Sequence, residues 1–422
     1  MNRHHDDRTG TGTGAVAYLV SRYPAVSHTF ILREVQGLRA LGLRVEVASV
    51  NAPDRAPERM TGDERAEAAA TYGLKRHGVA GAAAALAWAA ATRPQALLRT
   101  LGAALAYGTG LKRIYALAYA VEAAMVARWM AGHGLQHLHV HFGNEAAAVG
   151  ALTKTLAGVG LSLTIHGPDE FDDVPGQRLR QKVEAADRVV CISQFARSQL
   201  MRLTGPAQWA KLQLCRLGVD LARFAPKGAA RAGGPVRLLS VGRLTPAKGQ
   251  LLLVHACAEL QREGLAFELT LVGDGPDRAR LEDAVQRHHL APRVRFTGAL
   301  NQAEVRAELA RADAFVLPSL AEGIPVVLME AMASGVPCVT CPVNGIPELI
   351  EHGLSGLLAT PGDAQALAAQ LRRVITDAPL RQQLATAGRA KVQQSFQLAH
   401  NVARLAALLR SLPGVNAEGA AT

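Results

Sequence analysis

Two pairs of charged residues in the second half of the chain have types and spacings that could do chemistry. Glu322 and Glu330 stand eight residues apart, across Pro318-Ser319-Leu320-Ala321-Glu322-Gly323-Ile324-Pro325 and the apolar start Val326, Val327, Leu328, Met329. Ala314 to Leu317 is an apolar run short enough for a buried strand, and Pro318, Gly323 and Pro325 then punctuate a turn before a helix. Pro325 suits the first helical position, where a missing N–H leaves no partner wanting. Amides at a helix start lack intrahelical acceptors and carry partial positive charge. The junction of Ser319, Glu322, Gly323, Ile324, Pro325 and Val326 therefore favours phosphate or hydroxyl oxygens. An ionised carboxylate only accepts hydrogen bonds and can take both hydroxyls of a vicinal diol, so two of them could hold two sugars. A solvated glutamate and a first-turn charge aligned with the helix dipole would give the same spacing.

The second pair lies upstream. The run Val236 to Val241 reads as a strand, followed by Gly242-Arg243-Leu244 and by Lys248-Gly249, which sets two cations five residues apart. Fixed cations stabilise the charge that grows on a departing diphosphate. A unit pair at about 4 Å contributes ~1 kcal/mol in water and ~4 kcal/mol at an effective dielectric near 20, so closure of a cleft would strengthen them. Either cation alone reads equally well as an ordinary surface charge. The ordered combination of both pairs, each behind an apolar strand, favours the chemical reading.

With these residues in place, the chain resembles the retaining glycosyltransferases of family 4, which have the GT-B fold. The resemblance covers nearly all of the chain and is strongest from Val236 to Gly356. It implies that Arg243 and Lys248 bind the donor diphosphate beside Gly242, that Glu322 contacts the transferred sugar, and that Glu330 contacts the ribose. Leu271-Val272-Gly273-Asp274-Gly275-Pro276 is similar to the family's glycine turn below the nucleotide, and a plain strand-to-helix turn would read the same way.

In the first half, Ser21-Arg22-Tyr23-Pro24-Ala25-Val26-Ser27-His28-Thr29-Phe30-Ile31, with Glu34 one turn on, resembles the bacterial members that build exopolysaccharide or colanic-acid-like units. Many family members carry paired glycines in this first loop, and this chain lacks them. Ser27 reads as a helix N-cap, and Ser27 or Thr29 could also face the donor. Leu163-Thr164-Ile165-His166-Gly167-Pro168-Asp169 ends a strand at a histidine. The resemblance places His166 beside the transferred sugar, as a hydrogen-bonding group rather than a base. A satisfied histidine at a strand end is the alternative.

Other clusters invite chemistry less strongly. Asp169, Glu170, Asp172 and Asp173 could bind a metal or acceptor hydroxyls, or form an acidic exposed loop. His137, His139 and His141 alternate along Gln136 to Phe142 and would share one strand face. A zinc site would need a fourth ligand that the neighbourhood does not supply. Cys338 and Cys341 form a single C-x2-C with no second pair, which suits packing better than metal or redox work. Five cysteines without an even framework fit a reducing, cytoplasmic setting.

The elements that must position these residues alternate strand and helix. Strand-like runs are Ala15 to Val20, Arg44 to Val50, Gln136 to Phe142, Leu161 to Ile165 and Arg188 to Ile192. In the second half they are Val236 to Val241, Phe267 to Val272, Val294 to Thr297, Ala314 to Leu317 and Val336 to Thr340. Such alternation predicts an α/β protein with two Rossmann-like domains, their parallel sheets facing a central cleft. The expected organisation is a tail at 1–14, an N-terminal acceptor-binding domain at 15–225, a linker at 226–235, a nucleotide-sugar-binding domain at 236–395, and a C-terminal helix and tail at 396–422.

A helical insertion at about 57–134 interrupts the first domain with no evident strand. Val79 to Ala91 is apolar but falls short of the roughly 20 residues that span a bilayer, so no transmembrane helix is expected, and the charged, polar Met1 to Gly14 gives no expectation of a signal peptide. Leu97 to Met130 carries Tyr107, Tyr115, Tyr119 and Trp129 with Arg99, Lys112, Arg113 and Arg128, compatible with a surface that touches lipid headgroups or with a hairpin packed on its own domain.

The net charge of +11 favours anionic partners, which include nucleotide sugars and anionic membranes. Nucleic acid is disfavoured by the absence of any zinc-finger or RNA-binding aromatic pattern. The expected activity, implied by the resemblance, is transfer with retention from a UDP- or GDP-sugar to a saccharide acceptor carried on lipid. Front-face attack, with the departing phosphate helping to deprotonate the acceptor, needs no metal and no cofactor. A sugar-nucleotide epimerase and a non-catalytic basic membrane-associated scaffold are the alternatives.

Overall fold

A computed structural model describes residues 14–25, 28–105, 107, 112–226 and 233–416. The tail at 1–13, Ser27, and linker residues 227–232 lie outside them. The first sheet holds β1 (Ala15–Arg22), β2 (Arg44–Asn51), β3 (Tyr72–Gly73), β4 (His137–His141), β5 (Gly160–Ile165), β6 (Arg188–Cys191) and β7 (Leu212–Leu214), in the order β3-β2-β1-β4-β5-β6-β7. The second holds β8 (Val236–Val241), β9 (Phe267–Val272), β10 (Val294–Gly298), β11 (Ala314–Leu317), β12 (Cys338–Thr340) and β13 (Leu357–Leu358), in the order β10-β9-β8-β11-β12-β13. Every pairing between these strands is parallel.

The sequence dictates this layering locally. Strands such as Ala314–Leu317, whose four residues are all buried, are apolar on both faces and can only sit between two helical layers. Parallel strands bring all their carboxyl ends to one edge, and a crevice opens where the strand order reverses direction. That reversal falls between β1 and β4 in the first sheet and between β8 and β11 in the second.

Three short strands were not expected from the sequence: Tyr72–Gly73 inside the helical insertion, Leu212–Leu214 and Leu357–Leu358. Two or three residues at or near a sheet edge carry no readable alternation. The strand expected from Val336 starts instead at Cys338, because the Val336 amide closes the preceding helix on Ala331 and Pro337 has no N–H to offer. Pro325 is the N-cap of the helix Val326–Ala333 rather than its first residue. Its ψ of 122° is extended and its carbonyl accepts from the Leu328 and Met329 amides.

The insertion consists mainly of the helices Gly62–Ala70, Gly78–Thr92, Pro94–Leu105 and Lys112–Gly132. Arg113–Gly132 is long and apolar enough to cross a membrane by length and composition alone, and half of its apolar window is buried inside the domain. Ala120, Ala123, Ala124, Val126 and Ala127 are sealed in the core, and Trp129 stacks on Tyr72 at 5.5 Å. Trp129 is therefore a packing residue and not part of a lipid-facing surface.

The helix Leu398–Arg410 returns to the first domain. Val402, Leu405, Ala406 and Leu409 join Ile31, Val35 and Leu38 in one core cluster, and the Ala15 amide donates to the Val415 carbonyl at 2.9 Å. Leu405→Ala should cost about 2–5 kcal/mol. Urea unfolding followed by domain-specific probes should show that loss in the first domain's transition and not in the second's.

Candidate active site in the interdomain cleft

The loops that follow β8 and β11 form one side of the site. They are tied together by the Leu320 amide, which donates to the Ala247 carbonyl at 2.8 Å. Lys248 Nζ lies 2.6 Å from Glu322 Oε1, and Ser319 Oγ donates to the same oxygen at 2.7 Å. Ser319 and Glu322 are buried, whereas Arg243 is exposed at the mouth with no ion-pair partner among the described residues. Gly242 and Gly273 meet below them. Gly273 has φ +135°, and a Cβ there would stand 2.0 Å from the Gly242 carbonyl oxygen, so only glycine fits. Gly323, Ile324, Pro325 and Val326 lead into a helix start with no side-chain cap, which leaves its first amides for a ligand.

Glu330 lies inside that helix and faces the other domain. Arg33 Nη1 donates to its Oε1 at 3.1 Å, while Arg33 Nη2 donates to Gln302 Oε1 at 2.9 Å. Burial pushes the Glu330 carboxyl up from its ordinary range, and the Arg33 guanidinium pulls against that shift. Its Oε2 has no hydrogen-bond partner among the described residues and could still accept from a diol.

The facing side comes from the first domain's strand ends. His166 follows β5, and its carbonyl packs so tightly on Gly323 that a Cβ there would approach to 2.3 Å. Its ring is flanked by Phe142 at 4.3 Å and Phe30 at 5.0 Å between ring centroids. Phe142 holds φ 69° at the end of β4, a conformation costly for a non-glycine residue and often found at functional sites. Burial, then His141 and His28, push the His166 pKa well below the usual histidine range, which suits hydrogen bonding and not proton storage.

Thus His166, Lys248, Ser319, Glu322, Gly323 and Glu330 come together, with Arg243 at the rim. The acidic loop divides. Glu170 is buried and accepts from the backbone amides of Gly143, His166 and Gly167, so it shapes the His166 turn and is not an exposed acid. His137, His139 and His141 are all sealed in β4. Their geometry pairs His139 and His141 with Glu34, one ligand atom each within 4.8 Å, and leaves His137 out. Both nitrogens of His139 and of His141 are already hydrogen-bonded, which competes with a metal. All five cysteines are free and buried.

Arg33 and Glu348 were missed in the sequence. Arg33 meets a partner 297 residues away, beyond any local spacing. Glu348 accepts from the Phe195 amide and from Arg216, both at 3.0 Å, and forms a second bridge between the domains. The only local signal is the neighbouring Glu34, one turn after the motif at 21–31.

Removing Arg33 should expose the cost of burying Glu330. With its counter-charge gone, the Glu330 carboxyl rises further above its unfolded value, so the folded state holds the proton more tightly. Stability contributed by the protonated form is then lost as pH rises through the folded pKa. Arg33→Met should be destabilised more at pH 8 than at pH 5 relative to the parent in urea unfolding, and Glu330→Gln should remove that difference.

Known proteins of similar sequence and fold place the chain in a family. A model of the glycosyl transferases group 1 family matches residues 223–391, and one of glycosyltransferase family 4 matches residues 27–223. The chain is 33% identical over 419 residues to the amylovoran biosynthesis glycosyltransferase AmsK of Erwinia amylovora, covering 94% of this chain and 99% of that protein. It is 30% identical over 412 residues to the putative colanic acid biosynthesis glycosyltransferase WcaL of Salmonella typhimurium, covering 94% and 100%. Among solved structures, sucrose-phosphate synthase from Thermosynechococcus elongatus superposes with a TM-score of 0.72 at 21% identity over 94% of this chain and 98% of that one. Anabaena HepE in complex with UDP-glucose gives 0.71 at 21% identity over 94% and 100%. The chain therefore belongs to glycosyltransferase family 4, with the GT-B fold, among the bacterial exopolysaccharide and colanic-acid members.

Proposed function

We propose that this glycosyltransferase moves a sugar from a nucleoside diphosphate donor, of the UDP or GDP series, to a hydroxyl of a lipid-linked saccharide, with retention at the anomeric carbon. The observation that carries the reading is the Lys248–Glu322 pair, 2.6 Å apart, at the carboxyl ends of two adjacent strands. Lys248 and Arg243 stabilise the leaving diphosphate, and Glu322 with the following amides orients the sugar. Glu330 holds the ribose through its open oxygen, and His166 contacts the sugar from the opposite side. HepE is described in complex with UDP-glucose, which supports a donor of this class. The departing phosphate helps deprotonate the acceptor, so the reaction runs without a metal.

Donor binding gives the primary test. UDP, GDP or ADP at 100 times its dissociation constant should stabilise the protein by about 2.7 kcal/mol, in EDTA. One nucleotide series should produce the shift, and Lys248→Ala should abolish it. Glu322→Gln keeps the hydrogen bonds of Ser319 and Lys248, so it should fold normally while transfer falls by roughly 10²-fold. Strict dependence of transfer on added divalent metal would overturn the metal-free step. Release of an altered donor without acceptor would identify an epimerase instead.

The acceptor reading extends to the membrane. Val79, Leu98, Ile114 and Tyr115 are 67–86% exposed on three helices of the insertion. From Lys75 to Gly134 there are seven lysines and arginines against the single acid Glu122. Exposed apolar side chains beside unopposed cations suit an anionic lipid surface on the inner face of the cell membrane. Sedimentation should show binding to phosphatidylglycerol vesicles, weaker binding to phosphatidylcholine, and loss on Leu98→Ser with Ile114→Ser. Equal binding to both lipids, or to neither, would refute this docking face.

A further inference from the structure

A line of four buried side chains runs inward from His166. Its Nε2 lies 3.1 Å from His141 Nδ1, His141 Nε2 lies 3.1 Å from Glu34 Oε1, and Tyr18 donates its hydroxyl to that same Oε1 at 2.8 Å. None of the groups is more than a tenth exposed. His139 stands outside the line, since its two nitrogens face the hydroxyls of Ser162 and Thr164 at 2.8 and 2.9 Å. His166 Nδ1 has no hydrogen-bond partner among the described residues.

Proton counting along the line gives it a direction. Burial and the charge of Glu34 push the Tyr18 phenol well above its ordinary range, so Tyr18 keeps its proton and donates. A carboxylate has only lone pairs, so the His141 nitrogen that faces Glu34 must carry a proton. A His141 whose single proton sits on Nε2 offers a lone pair at Nδ1, and His166 then donates from Nε2. The nitrogen it has left for the cleft is an acceptor.

We propose that Glu34 and His141 are positioning residues that fix His166 with its proton on Nε2, so that Nδ1 presents a lone pair to the cleft. His166 then recognises a hydroxyl, which can donate, and discriminates against a phosphate or carbonyl oxygen, which cannot. This rests on the sugar-facing assignment of His166 within the transferase reading.

The test uses full-length protein labelled with 15N-histidine, with long-range proton–nitrogen spectra and His166→Gln for assignment. The parent should show the Nε2–H tautomer of His166. Glu34→Leu should lose that tautomer and transfer about tenfold more slowly, the effect of one hydrogen bond, with stabilisation by the nucleotide that binds the parent unchanged. Glu34→Gln, whose amide oxygen still accepts from Tyr18 and His141, should keep the tautomer and nearly all of the rate. A parent His166 protonated on Nδ1, or a folded Glu34→Leu with parental spectrum and rate, overturns the proposal. If Glu34→Leu does not fold, the parent spectrum decides alone. Absence of both nucleotide stabilisation and transfer in the parent would instead sink the transferase reading, while the spectrum would still report the relay.

Discussion

A carboxylate taken out of water must find donors, and that requirement organises the cleft. Glu322 finds Lys248 and Ser319, Glu330 finds Arg33, Glu34 finds Tyr18 and His141, and Glu170 finds three backbone amides. An unpaired carboxylate at any of these depths would cost several kcal/mol or take up a proton. Each therefore ties its own element to another: a neighbouring loop, the opposite domain, a pair of strands or a turn. The acids proposed to serve the chemistry are held by the same contacts that hold the fold.

The helix Thr29–Ala40 connects these obligations. Arg33 reaches out from it to Glu330 in the second domain, while its neighbour Glu34 points inward to the histidines behind His166. Two consecutive residues of one helix thus address both walls of the site. Gly323 pressed on the His166 carbonyl, and Glu348 bridging Phe195 and Arg216, add further contacts across the interface.

Much of this was legible in the sequence because the information was local. Apolar runs such as Phe267 to Val272 and Ala314 to Leu317 fall on observed strands, and the spacing of Glu322 and Glu330 followed from a strand, a turn and a helix start. What stayed hidden needed contacts across the fold. Arg33 looks like any helical cation until the second domain is present, and the metal-like histidine triplet looks regular until Ser162, Thr164 and Glu34 claim its nitrogens. Tyr72–Gly73 is a strand only because β2 lies beside it. Glu170 looked exposed because nothing nearby in sequence announces three converging amides.

The return of the helix Leu398–Arg410 to the first domain has a consequence for biosynthesis. Val402 and Leu405 complete a core that begins at β1, yet the whole second domain is translated between them. At 5–20 residues per second the ribosome takes roughly 10–40 s to pass from the end of the first domain to that helix. Throughout that interval Ile31, Val35 and Leu38 lack the cover that Val402, Leu405, Ala406 and Leu409 later supply. The nascent first domain must wait half-closed, and a chaperone that shields this one face would serve it until the last segment emerges.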